Sequence, residues 1–120
     1  MRLPPPEEFE DYFARIDLIQ DKLIEVIEDI IRTNKILLKD FAALVWPEKS
    51  RDAAYLTWTN IRTPRADSGK KRELSWKEGM RAARVLNENL GTLIMMAETR
   101  VMSEELNQQN KGTYNKGQIF

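Results

Sequence analysis

The 120-residue chain has no cysteine and no histidine. Without thiols there are no disulfides, no zinc–thiolate site and no cysteine nucleophile. Without imidazole, histidine triads and histidine-ligated metals are also excluded, and with them most of the usual enzyme chemistry. The sequence has no phosphate-cradling glycine loop and no activated nucleophile. Long apolar runs are missing too: "TLIMMA", residues 92–97, is far too short to span a bilayer. The opening "MRLPPPEEFEDYF" carries acids where a signal peptide needs an apolar run. These absences set the expectation of a soluble cytoplasmic protein that is not an enzyme, with no membrane partner, no metal and no small-molecule cofactor. The length fits one domain with its own core.

A net charge of zero hides a segregation. Residues 1–34 carry nine carboxylates against four cations, and residues 35–84 carry twelve cations against six carboxylates. An acidic arm beside a basic middle suggests that only the middle meets a polyanion.

Helix patterns fill most of the chain. "LPPP" suits a first helical turn, and Glu7 and Glu8 complement the amino-terminal dipole. From there to about residue 35 there is no glycine or proline. Phe9, Tyr12, Ile16, Ile19, Leu23, Val26 and Ile30 follow one another at steps of three and four, an a/d heptad rhythm. Phe13 and Ile27 widen that stripe towards a globular core. Asp17, Asp21, Glu25, Glu28 and Asp29 read as its solvated flank rather than as metal ligands. A second helix runs from about Leu37 to Val45, stopped by Pro47. A third runs from Ser50, a capping residue, to about Arg62. The basic segment "TPRADSGKKREL" is a loop. Ser75 and Glu78 have capping-box spacing at the start of a fourth helix, which carries Met80, Ala83, Val85 and Leu86. A fifth spans about Thr92 to Leu106, with Leu93, Ile94, Ala97 and Val101 inward and Met95 and Met96 assigned to helix packing. With no convincing strand, the expected fold class is all-α. The expected division is a helical arm over 1–21, a domain over 22–106, and a polar tail over 107–120, flexible or loosely docked.

The stretch "DFAALVWPEKSRDAAYLTWTNI", Asp40 to Ile61, can form a helix-turn-helix. Such a unit needs a small residue where its two helices touch, and Ala42 or Ala43 supplies it. At about 100° per residue from Ser50, one side of the third helix collects Ala54, Thr57, Trp58 and Ile61. The other side collects Arg51, Asp52, Tyr55, Leu56 and Thr59, the side chains that would face base edges. Lys49, Ser50 and Arg51 at its start suit phosphate. Trp46 and Trp58 are assigned to the core.

The order of elements from Ile24 to Met102 resembles the lambda-repressor-like (Cro and Xre type) helix-turn-helix domain. The matching segments read "DFAALVW", "PEKS", "RDAAYLTWTNI", "GKKREL" and "WKEGMRAARVLNENLGTLI". The tryptophan–proline turn is similar to a subgroup from phage-derived and mobile-element proteins of bacteria. The turn is about two residues longer than the common form, the basic loop is longer, and the arm is additional. The resemblance implies a five-helix fold whose third helix enters the major groove of double-stranded DNA. It implies a sequence-specific transcriptional regulator, with an interaction module reusing the same fold as the alternative. Base readout is expected from Arg51, Tyr55 and Thr59, and phosphate contact from Lys49, Ser50, Asn60, Arg62, Arg65, Lys70, Lys71 and Arg72; Asp52, on the same DNA-facing side, counts for the interaction module unless it accepts from cytosine. The arm, through Phe9, Tyr12, Phe13, Ile16 and Ile19, is expected to make a homodimer, with Arg15 and Lys22 pairing across to a second chain.

Overall fold

Three consecutive prolines fix the first residues in an extended path, and the last of them opens a 3-10 turn, Pro6–Phe9. The computed structural model describes the backbone of residues 1–117 and the side chains of residues 1–109. After that turn come α1 (Glu10–Thr33), α2 (Leu38–Val45), α3 (Arg51–Arg62), α4 (Trp76–Val85) and α5 (Leu90–Gly117). No strand occurs among the described residues. The all-α class and the five-helix order expected from periodicity are both present.

Each boundary has a local cause. Helix α1 ends in a left-handed Lys35 (φ 55°), with Lys35 N–H donating to Arg32 O and Ile36 N–H to Ile31 O. This is the Schellman arrangement, and Ile36 packs back onto the core beside Ile31. Helix α4 ends the same way: Asn87 is left-handed (φ 59°), and Glu88 N–H reaches Ala83 O at 2.7 Å. Ser50 caps α3 by accepting from Ala53 N–H, and Ser75 with Glu78 forms a complete capping box on α4.

The core joins all five helices, α4 through Ala82 and Ala83. Leu23, Ile24, Val26, Ile27 and Ile31 of α1 meet Phe41, Ala42 and Val45 of α2, Ala54, Trp58 and Ile61 of α3, and Leu93 and Ala97 of α5. Phe41 and Trp58 pack edge to face at 5.1 Å, and the two buried indoles, Trp46 and Trp58, lie 6.5 Å apart. Leu74, in the loop before α4, is also buried. No helix among the described residues is long and apolar enough to cross a membrane.

Two expectations change. The fifth helix does not end near Leu106: α5 continues as helix to Gly117. Once a helix is anchored at one end, each further residue adds a bond without a new nucleus, and one interior glycine costs only about 1 kcal/mol. Residues 118–120 lie outside the described residues. Met95 and Met96 are not packed: they are 68% and 41% exposed, and Met80 of α4 is exposed as well. Leu93 and Ala97 already hold the inward face of α5; Met95 is two residues from each, on the opposite side, and Met96, adjacent to Ala97, is turned about 100° from it.

Candidate nucleic-acid interface

Helix α3 is buried along one side and bare along the other. Ala54, Thr57, Trp58 and Ile61 are buried, as the spacing predicts, while Arg51, Asp52 and Leu56 are exposed and Tyr55 and Thr59 half-exposed. Ala42 is the small residue that lets α2 approach: it is fully buried, whereas its neighbour Ala43 is not. The connecting turn is held by Lys49 N–H donating to Trp46 O at 3.1 Å. Lys49 also donates through Nζ to Thr57 Oγ1 at 3.1 Å, which places its ammonium beside the first turns of α3.

Helix α2 contributes side chains to this face that the spacing of α3 alone does not reveal. Lys39 Nζ sits 5.5 Å from the centroid of the Tyr55 ring and 3.9 Å from Asp52. Asp40 forms an ion pair with Arg51 at 2.6 Å. Leu37, Lys39, Arg51 and Tyr55 line one shallow groove where the two helices meet. Their signal was the exposed edge of α2, legible only once α2 is known to lie against α3.

The expected phosphate contacts divide into two kinds. Arg65 pairs with Asp67 of its own loop at 3.2 Å, and Lys71 with Asp21 of α1 at 3.5 Å, all with side chains at least two-fifths exposed. Of the five basic residues from Arg62 to Arg72, Lys70 alone has no carboxylate within 4 Å among the described residues. Arg62 and Arg72 are different. Arg62 turns inward, 3.8 Å from Glu28, and donates to the Tyr55 hydroxyl at 3.3 Å. Arg72 is bidentate on Glu78, at 2.9 and 2.8 Å. These two guanidiniums, assigned to phosphate from the sequence, each face a carboxylate that is itself mostly buried.

That carboxylate pair anchors both tryptophans. Trp58 Nε1–H donates to Glu28 at 2.7 Å, and Trp46 Nε1–H donates to Glu78 at 2.8 Å. Burial pushes the Glu78 carboxyl up, but Arg72, the Ser75 backbone N–H, the Trp46 indole and the Ser75 hydroxyl together hold it down at about 2. The loop is therefore pinned rather than free to reach as an arm. Arg72 N–H donates to Asn60 O at 2.8 Å, and Leu74 N–H to Gln20 Oε1 at 2.8 Å. Gly69 supplies the left-handed residue (φ 69°) of the loop's turn. No protein-family model, curated protein or solved structure matches the chain.

The arm departs most from expectation. Its seam is taken by its own chain: Leu23 and Val26 are buried, and Ile19 packs on the core. Arg15 pairs with Glu105 and Lys22 with Glu104, both on α5, and Asp29 accepts from Arg100 at 2.8 Å. These three residues are seven apart along one flank of α1, and that flank faces α5. The Arg15 and Lys22 pairs expected between chains are made within one. Phe9, Tyr12, Phe13 and Ile16 remain at the outer end, with Phe9 half-buried and the others exposed.

Proposed function

We propose that the chain is a sequence-specific DNA-binding regulator that places α3 in the major groove. The observation that carries this reading is the bare side of α3, with Arg51, Asp52, Tyr55, Leu56 and Thr59 held outward by a helix whose other side is sealed into the core. The ion pairs on this side do not block it. Exposed pairs such as Arg51–Asp40 and Lys71–Asp21 are worth about 0–1 kcal/mol, so a phosphate can replace the carboxylate. One α3 reaches few base pairs, so the same reading has two copies acting as a homodimer on half-sites about 34 Å apart.

Full-length protein titrated with random-sequence duplex at increasing salt tests the proposal. Log affinity is expected to fall linearly with log salt, and failure to bind duplex at low salt would end it. Lys70→Ala and Lys71→Ala are each expected to flatten the slope by about 1. Arg72→Ala should instead lower thermal stability and leave the slope alone, since its charge is committed to Glu78. Arg51→Ala should change sequence preference by about 1–3 kcal/mol at one base pair.

A second reading, a protein-interaction module, has one observation in its favour. Lys39, Arg51, Arg65 and Lys71 all sit beside carboxylates, and Leu37, Leu44 and Leu56 are exposed on α2 and α3. Absence of a salt-dependent duplex complex would favour it.

A further inference from the structure

The outer end of the arm presents an apolar face. Phe9, Tyr12, Phe13 and Ile16 stand at i, i+3, i+4 and i+7, the spacing with which an amphipathic helix docks into a groove. Tyr12 and Phe13 are 60% and 59% exposed, and Ile16 is 44% exposed. Phe9 stacks on Phe13 at 5.8 Å, so the rings form one surface. The helix is formed before any partner arrives: α1 is continuous from Glu10 to Thr33, and Leu23 to Ile31 anchor it in the core. Docking would therefore order side chains but not backbone.

Charge identifies the occupant. Glu7, Glu8, Glu10 and Asp11 are all exposed, Glu8 and Glu10 flanking Phe9 on either side of this face and Asp11 lying behind it, and none has a cation within 4 Å among the described side chains. The nearest cation along the helix, Arg15, is engaged with Glu105. A second copy of the arm would set these carboxylates against their own kind, and like-charge juxtaposition across an interface costs several kcal/mol. Nucleic acid and anionic lipid are repelled for the same reason. We infer that the arm is a docking helix for another protein, one offering an apolar groove rimmed by lysine or arginine. Carboxylates around the rings then steer the encounter while the rings supply the anchor.

The test uses the full chain and two labelled synthetic amphipathic helices, one of leucine and lysine and one of leucine and glutamate. Wild type is expected to bind the lysine helix at least about tenfold more tightly, with an affinity that falls as salt rises. Tyr12→Ser with Phe13→Ser should lose about tenfold of that affinity. Glu8→Lys with Glu10→Lys should reverse the preference, which no uncharged sticky patch would do. All four side chains are exposed, so circular dichroism and melting of the variants are expected to match wild type. Equal binding of both peptides, or binding untouched by either variant, overturns the proposal. So does a wild-type dimer that Tyr12→Ser with Phe13→Ser converts to monomer, since a second copy would then cover the face.

Discussion

Trp58→Ala is expected to cost about 3–5 kcal/mol of folding free energy, enough to bring a domain of this size close to unfolding. Trp58 is fully buried between Phe41 and Trp46, so truncation leaves a cavity that two helices and a turn would have to collapse around. It also removes the indole N–H from Glu28, a carboxylate only 18% exposed. Trp58→Phe narrows the effect, because it keeps a six-membered ring in the core and removes the donor with the five-membered ring that carries it. That variant should cost about 1.5–3 kcal/mol, the range for a hydrogen bond to a charged group. Urea unfolding followed by circular dichroism measures both. A Trp58→Phe protein as stable as wild type would show that the Glu28 bond contributes nothing beyond packing.

Both tryptophans were legible as core residues, but their partners were not. Helical spacing sorts one helix into sides, which is why Ala54, Thr57, Trp58 and Ile61 could be named as the buried side of α3. The same holds for Ser50 and the Ser75–Glu78 box, whose geometry is complete within four residues. Glu28 and Trp58 are 30 residues apart, and Glu78 and Trp46 are 32 apart, so no local period connects them. Arg62 and Arg72 looked like phosphate contacts because their position after α3 was visible and the carboxylates facing them were not. The α1 stripe shows the same limit. A heptad rhythm says that a partner helix exists but does not say whose it is. Here α5 of the same chain takes most of the seam, and only the four residues nearest the amino terminus are left without it.

Glu78→Gln is expected to remove about 2 kcal/mol of stability at neutral pH and to remove a matching part of the acid sensitivity. Folding moves the Glu78 carboxyl from an ordinary 4.5 to about 2, because Arg72 and three hydrogen-bond donors outweigh its burial. A displacement of this size corresponds to about 3 kcal/mol, and the solvent-open side of Arg72, 39% exposed, reduces it to about 2. The folded-state value lies below the unfolded one, so the stabilisation is complete above about pH 5. It is lost as pH falls through 4.5 towards 2. Glutamine still offers an oxygen to the Trp46 indole but no charge to Arg72, so the variant isolates the ionic part. Asp29, held low by its hydrogen bond from Arg100, titrates in both proteins and cancels in the difference. Unfolding free energies of wild type and Glu78→Gln, measured from pH 7 down to pH 2, should therefore converge on acidification. Two parallel curves with a constant gap would mean that the variant has lost packing rather than charge.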